Sequence, residues 1–264
     1  MVSMSFGDAG VVIQRTFQIL PSIGKGKERN LWKSGVRDWD DFRSASKVKG
    51  IAKDRKDHLD QHLERAETFL NNGRTDYFYK ILPTVEHWRF FDRFREQTAF
   101  LDIETDGRFS YANVTVVGIH RNGLSTALVR GQDLDAGSLK KALEGVKLLV
   151  TFNGSSFDLP ILEYHFPFTV PKVPHFDLRH ACRRIGLEGG LKSVEKQMGI
   201  ARAREVEYVT GEEAVYLWRL WERSGNGNAL KLLKKYNEED TVNLSPLAEH
   251  VYETLKNRIV HGSN

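Results

Sequence analysis

Two acidic residues interrupt an apolar segment near the middle of the chain, the sequence AFLDIE at residues 99–104. A short apolar run of this kind predicts a buried strand, and alternate strand residues face opposite sides. Asp102 and Glu104 therefore share one face, about 7 Å apart along the strand, while Leu101 and Ile103 pack on the other. An exposed strand face would tolerate such a pair, but the apolar residues before it and the polar loop after it indicate the end of a central strand. Buried there, the carboxylates would repel each other unless a cation lay between them, so a divalent metal site is the leading hypothesis.

The periodicity of apolar residues changes at this same point in the chain. Helical spacing marks residues 57–70 and 76–95, with a break predicted at Pro83, whereas after Ala99 the segments VTVVGIH and TALVR predict two further strands in an antiparallel meander. Residues 134–143 then predict a crossover helix, and KLLVTF a strand that returns to the same sheet. This order predicts an α/β fold with a mixed sheet flanked by helices, preceded by a small all-α module. The predicted parts are residues 1–56, a helical connector 57–98, and the sheet-containing domain 99–264.

A third acidic residue, Asp158, follows the returning strand in the sequence FNGSSFDLPIL. Asn153 and Gly154 predict a turn from strand to helix, and Ser155 or Ser156 is expected to cap the helix. Asp158 then lies in the first helical turn, where the helix dipole stabilises a negative charge. Taken alone, it is also typical of an ordinary helix start.

A fourth acidic residue, Asp240, lies in LLKKYNEEDTVNLSPLAEHVYETL, which predicts one long C-terminal helix. Tyr236 and Asp240 are four residues apart and share a helix face, whereas Glu238 and Glu239 point elsewhere and are expected to be solvated. Between these segments, Asp177 is expected to cap the helix that follows it, with a supporting contact to the metal site as the alternative.

In chain order, the three segments DIET, NGSSFD and YNEED resemble the three exonuclease motifs of the DEDD superfamily in its tyrosine-containing branch. They are similar to the proofreading exonuclease of family B DNA polymerases and to stand-alone ribonuclease H-like exonucleases. The resemblance extends over about Ala99 to Leu255 and implies a ribonuclease H-like fold and 3′→5′ removal of nucleotides as 5′-monophosphates. It implies two divalent cations, Mg²⁺ or Mn²⁺, in a two-metal-ion mechanism. The metal ligands that it implies are Asp102, Glu104, Asp158 and Asp240, with Tyr236 as the fifth catalytic residue and Asn153 as a nucleic-acid contact.

The N-terminal sequence LPSIGKGKERNLW resembles a helix-hairpin-helix, in which backbone N–H groups of a glycine-containing hairpin bind a phosphate. The residues that match are Gly24, Lys25, Gly26 and Lys27, whereas Ser22 stands where the family usually has its first glycine. Residues 1–56 contain 12 Lys and Arg against 6 Asp and Glu, an imbalance typical of a nucleic-acid-binding arm. A helical module that only packs against the rest of the chain is the alternative.

The composition of the chain limits which kinds of site and which classes of protein are expected. Cys182 is the only cysteine, so neither an internal disulfide nor a zinc site built from several thiolates of one chain is expected, and the residue reads as a buried apolar group. No apolar run reaches the roughly 20 residues of a membrane-spanning helix, and the first residues lack the pattern of a secretion signal, so a cytoplasmic protein is expected. The expected partner is nucleic acid, with DNA favoured over RNA. Two alternatives stay open: an inactive nucleic-acid-binding protein on a nuclease fold, and an endonuclease or RNA-processing nuclease.

Overall fold

A computed structural model of the chain describes residues 12–108 and 113–260. Residues 1–11, at the start of the predicted N-terminal module, lie outside the described residues. So do residues 109–112, within the turn predicted between the first two strands, and residues 261–264 at the end of the predicted third part.

The described residues contain one mixed sheet, in the strand order β3-β2-β1-β4-β5. The antiparallel meander of the first three strands and the parallel return of the fourth agree with the prediction. The fifth strand pairs in parallel with the fourth. The strands are β1 (Thr98–Thr105), β2 (Val114–Arg121), β3 (Leu124–Val129), β4 (Leu148–Thr151) and β5 (His175–Asp177).

Helices cover both faces of this sheet and form the N-terminal part of the chain. The α-helices of the described residues are α1 (Lys25–Lys33), α2 (Trp39–Ser44), α3 (Lys53–Asn71), α4 (Thr75–Ile81), α5 (Ala136–Ala142), α6 (Asp158–His165), α7 (Leu178–Ile185), α8 (Leu191–Met198), α9 (Gly211–Ser224), α10 (Gly227–Val242) and α11 (Leu244–Val260). The described residues also contain three 3₁₀ segments, Val12–Arg15, Thr84–Phe90 and Arg95–Gln97. None of the helices in the described part is long and apolar enough to cross a bilayer.

Alternation along β1 determines which side of the sheet carries the acidic residues. Leu101 and Ile103 pack in an apolar cluster with Leu139 of α5 and Leu162 of α6. Phe100 points the other way, into a cluster that includes residues of α7 and α11. Since side chains alternate along a strand, Asp102 and Glu104 belong to this second face, as the sequence predicts.

The N-terminal helices share their core with the sheet. One apolar cluster runs from Val12 through Trp39 and Phe42 to Val150 of β4 and Leu255 of α11. The division at residues 56 and 98 stays a prediction, and the packing crosses both positions. The predicted break at Pro83 is present, since α4 ends at Ile81 and a 3₁₀ segment follows at Thr84.

Two local predictions are wrong. The long C-terminal helix is two helices, since α10 ends at Val242 and α11 begins at Leu244. Pro246 accounts for this break, because its ring clashes with the carbonyl four residues earlier if the helix continues. The sequence predicts that Gly26 lies in a hairpin, but α1 begins at Lys25 and contains Gly26 in its first turn.

Candidate metal centre

Three carboxylates meet at the end of β1. One oxygen each from Asp102, Glu104 and Asp240 lie within 4.8 Å of one another, and among the described residues they form a group able to hold a metal ion. The strand supplies the first two residues and α10 the third. Glu104 and Asp240 are buried and Asp102 is half-buried.

Close packing of α10 on β2 brings Asp240 to this strand. Gly118 of β2 is the direct partner of Asp102 in the antiparallel register. A Cβ atom at position 118 would lie 2.1 Å from Asn237 Oδ1, so only glycine leaves room for this helix. Asn237 in turn donates from Nδ2 to Asp102 Oδ2 at 2.9 Å, which fixes the orientation of that carboxylate.

Asp158, the first residue of α6, lies beside the group without belonging to it. Its Oδ1 accepts a hydrogen bond from the backbone N–H of Ile103 at 3.1 Å, between the two acidic residues of β1. That N–H is available because β4 pairs with β1 only over Thr98–Phe100. The fourth carboxylate is therefore attached to the strand that carries the first two.

The four carboxylates disfavour one another's negative charge. Burial, and then the charge of Asp240, raises the pKa of Asp102 and of Glu104 well above the usual range of a carboxyl. Burial raises the pKa of Asp158 to about 7 and also raises the pKa of Asp240. Carboxylates crowded in this way are neutralised by protons or by a bound cation.

Arg202 supplies positive charge to one side of the group. Its Nη2 lies 2.5 Å from Asp240 Oδ1, and its Nε and Nη2 donate to Glu195 at 2.7 and 2.8 Å. Asn243 Nδ2 donates to the same Glu195 carboxylate at 2.9 Å. Because the side chains of Arg202 and Glu195 are only 4% and 2% exposed, this network holds Asp240 from the side of α8 and the segment after it.

Tyr236 lies one helical turn before Asp240 on the same face of α10, as predicted, and both side chains are buried. A hydrogen bond from the tyrosine hydroxyl opposes part of the rise in the pKa of Asp240. Burial, followed by the charge of Asp240, raises the pKa of Tyr236 above its ordinary value. The phenol is therefore neutral at physiological pH and acts as a hydrogen-bond donor.

Asp177 holds the turn between β4 and α6. It accepts from the backbone N–H groups of Asn153 at 2.9 Å and Ser155 at 3.1 Å, and it caps α7 through the N–H of Arg179. Asn153 has a φ of +69°, a conformation that asparagine adopts more readily than most residues. The predicted capping of α6 by Ser155 or Ser156 is wrong, because Phe157 is the N-cap residue and no side chain caps this helix. The Ser155 hydroxyl donates to Asp177 instead, at 2.5 Å.

The predicted phosphate-binding residues of the N-terminal part lie at the start of α1, outside the carboxylate group. Gly24 is the N-cap residue, and Lys25, Gly26 and Lys27 form the first turn. Lys27 Nζ donates to the backbone oxygen of Ser22 at 3.0 Å. Their binding role stays a prediction.

Sequence reasoning missed two residues that contact the carboxylates, Asn237 and Arg202. A signal existed for Asn237, because it lies three residues before Asp240 and therefore shares its helix face. No sequence signal marks Arg202, which lies 38 positions from Asp240 in a segment without regular secondary structure.

Comparison with known proteins agrees with this architecture. Residues 99–252 match the family model RNase_H_2 of the RNase_H superfamily. Solved structures also match, among them one titled "apo form of the nuclease". The two chains are 17% identical in sequence, the match covers 64% of this chain and 86% of that chain, and its TM-score is 0.40. No curated protein matches the chain. The family match spans more than half of the chain and confirms the predicted α/β fold class with a ribonuclease H-like sheet. The chain belongs to the RNase H superfamily.

Proposed function

We propose that the protein is a metal-dependent 3′→5′ exonuclease that hydrolyses the phosphodiester bonds of nucleic acid and releases 5′-monophosphates. The observation that carries the proposal is the buried group of Asp102, Glu104 and Asp240, with Asp158 attached to the same strand. The tyrosine one turn before Asp240 supports the 3′→5′ polarity, through the resemblance of its segment to the tyrosine branch of the DEDD exonucleases. DNA is the favoured substrate.

The donor set fits Mg²⁺ or Mn²⁺, which are hard cations that prefer oxygen ligands. The raised pKa of each of the four carboxyls supports this fit, because a bound cation stabilises the negative charges that burial and the neighbouring carboxylates disfavour. Asp102, Glu104 and Asp240 would hold one ion. Asp158, which accepts from the backbone N–H of Ile103 next to Asp102, is proposed to hold the second ion together with Asp102. Two such ions supply activation of a water and stabilisation of the leaving 3′ oxygen.

The protein's own residues orient this site. Asn237 and Arg202 hold Asp102 and Asp240 from two sides, so that the carboxylates need little rearrangement on binding an ion. Tyr236 is a neutral donor and is proposed to orient the attacking water rather than to remove its proton. Asn153, on the turn held by Asp177, is proposed to contact the substrate.

The test uses 5′-labelled single- and double-stranded DNA and RNA with Mg²⁺, Mn²⁺ or EDTA. We expect stepwise shortening from the 3′ end that requires metal. Asp102→Asn should lower the rate about a hundredfold or more, since loss of residues that only support metal ligands already costs 10- to 100-fold. Glu238→Gln is the matched control, because this acid lies on the same helix as Asp240, is 40% exposed and pairs with Lys235. Its activity should stay near that of the unmodified protein.

Two other results would change the proposed function. Internal cuts that need Asp102 would replace the exonuclease with an endonuclease on the same site. Binding of nucleic acid without any cleavage would overturn the catalytic proposal in favour of an inactive binding protein.

A further inference from the structure

A basic cavity lies on a different part of the molecule from the carboxylates. Its volume is about 630 Å³, within the range of small-ligand sites. Four separate regions of the chain line it: α1 with the 3₁₀ turn before it, the 3₁₀ segment Thr84–Phe90, Arg184 near the end of α7, and the last turn of α11. Arg184 is seven residues beyond Asp177, so the cavity is about 10 Å along α7 from the turn that Asp177 holds.

Buried ion pairs balance the acidic residues of this cavity. Arg89 Nε lies 2.7 Å from Glu86 and its Nη2 lies 3.3 Å from Glu28. Arg184 Nη2 adds a contact of 3.7 Å to Glu86. Glu28 also accepts from the hydroxyl of Thr16 and the backbone N–H of Phe17, both at 2.7 Å. These two carboxylates are therefore already satisfied by protein groups.

Six further cations line the same cavity, and none of them forms an ion pair with another described residue. Like charges collected around one cavity create a positive potential that attracts anions. They come from both ends of the described chain. The six are Arg15, Lys25, Arg29, Lys33, Arg37 and Arg258.

Buried hydrogen-bond donors at the cavity also lack acceptors. Arg15 Nε, Arg89 Nη1 and Trp88 Nε1 are buried and have no partner among the described residues. The Arg89 side chain is only 3% exposed, so water does not replace the missing acceptor easily. Unsatisfied buried donors are uncommon in folded proteins, so these three groups show that acceptors are missing among the residues that line this cavity.

Aromatic surface lies beside these charges. The half-buried Trp32 lines the cavity, with the Arg89 guanidinium 5.7 Å from its ring centre. Trp88, which is fully buried, also lines the cavity, with Arg89 at 5.4 Å and Arg184 at 5.9 Å from its ring. Tryptophan rings and arginine side chains provide stacking surfaces for nucleic-acid bases.

We infer that the basic cavity binds a nucleotide, with its phosphate among the cations and its base against Trp32. The nucleotide is either a free nucleoside phosphate or one unit of a nucleic-acid strand, because the recognised chemistry is the same. The site is separate from the carboxylate group, and the inference does not depend on the proposed nuclease activity. Of the four residues predicted to bind phosphate in this part of the sequence, Lys25 lines the cavity.

The experiment measures binding in EDTA with the full-length Asp102→Asn variant, so that neither cleavage nor metal contributes. The probes are inorganic phosphate, AMP, ATP and a fluorescent ten-nucleotide thymidine strand. Tryptophan fluorescence of the protein measures binding of the unlabelled probes, and fluorescence anisotropy measures binding of the strand. We expect ATP or the strand to bind, and Arg15→Gln with Arg29→Gln to weaken that binding about tenfold or more. If the strand binds at least tenfold more tightly than ATP, the cavity is a site for a nucleic-acid strand. If the two affinities are comparable, the cavity is a site for free nucleotides.

Lys140→Gln with Lys141→Gln is the matched control, because it removes the same charge from exposed positions on α5 that do not line the cavity. Binding in this control should be unchanged. An equal loss in both double variants, or no binding of any probe, would overturn the inference. Arg258→Gln, at an exposed position near the end of α11, gives an independent variant if the first double variant unfolds. Because cleavage is measured separately with metal, either proposal can fail without the other.

Discussion

Arg202 connects two buried carboxylates that belong to different parts of the structure. It contacts Asp240, a proposed metal ligand, and Glu195 of α8. Burial lowers the pKa of the arginine, whose side chain is 4% exposed, but the hydrogen bonds and charges of Glu195 and Asp240 outweigh this effect and raise the pKa above its ordinary value. A guanidinium in this position partly neutralises the carboxylates while no cation is bound.

Replacement of Arg202 by glutamine should destabilise the metal-free protein by about 3 kcal/mol, because it leaves buried carboxylates without their charge partner. In saturating Mg²⁺ the loss should be smaller, since a cation then neutralises Asp240. Urea unfolding in EDTA and in Mg²⁺ measures both values. Arg74→Gln is the control, because its pair with Asp76 is exposed to solvent and should contribute little to the free energy of unfolding in either buffer. An equal loss with and without Mg²⁺ would show that Arg202 is unrelated to the cation site.

The packing of α10 against β2 determines how close Asp240 lies to the acidic residues of β1. Gly118 is the point of closest approach, and Thr241 Cγ2 would lie 3.0 Å from a Cβ atom there, in addition to the contact with Asn237. Asn237 is fully buried and donates to Asp102, so its side chain cannot swing aside without losing that hydrogen bond. This element contact is therefore more sensitive to a single methyl group than most packed surfaces.

Gly118→Ala should lower the free energy of unfolding by about 1–3 kcal/mol, the usual cost of overpacking. It should also reduce metal-dependent cleavage, because a displaced α10 moves Asn237 away from Asp102. The measurements are urea unfolding and the cleavage rate with the same labelled strand. Gly211→Ala is the matched control, since a Cβ atom at this first residue of α9 meets nothing within 4 Å. Normal activity of Gly118→Ala would mean that α10 tolerates the shift without loss of the site.

Much of the element order follows from local sequence, because each signal acts within a few residues. Alternation in AFLDIE predicts the acidic face of β1, and helical spacing predicts that Tyr236 and Asp240 lie together. The break between α10 and α11 also had a local signal, Pro246, which the apolar pattern on either side outweighed. Helix existence was therefore easier to predict than helix ends.

Contacts between distant segments could not be predicted in this way. Arg202 reaches Asp240 only because the segment after α8 packs beside α10, and no periodicity encodes that packing. The basic cavity is a similar case, since its six cations without ion pairs come from residues 15–37 and from residue 258. Local sequence predicted an excess of positive charge in the first of these regions, but not the C-terminal residue that completes the cavity.

At the scale of the whole molecule, one apolar cluster joins the N-terminal helices to the sheet. His87 lies within this junction and is fully buried. Its Nδ1 accepts from the backbone N–H of His175 in β5 at 3.0 Å, and its Nε2–H donates to the Leu82 carbonyl at 3.1 Å. Only the neutral imidazole can make both bonds, because protonation removes the lone pair on Nδ1.

Acid should therefore destabilise the whole protein through His87. Burial lowers its pKa from 6.5 to about 4, so between these values the unfolded chain binds a proton that the folded protein does not. Stability from this group is complete above about pH 6.5 and is lost as the pH falls to 4, by up to about 3 kcal/mol.

Urea unfolding from pH 7.5 to 4 should reveal this slope. His87→Leu should reduce the slope and should also lower stability at pH 7.5, because the His175 N–H loses its acceptor. His250→Leu, at an exposed position of α11, controls for the removal of a histidine and should leave the slope unchanged. The same slope in His87→Leu as in the unmodified protein would assign acid sensitivity to other groups, of which His175, with a pKa also lowered by burial to about 4, is the first to test.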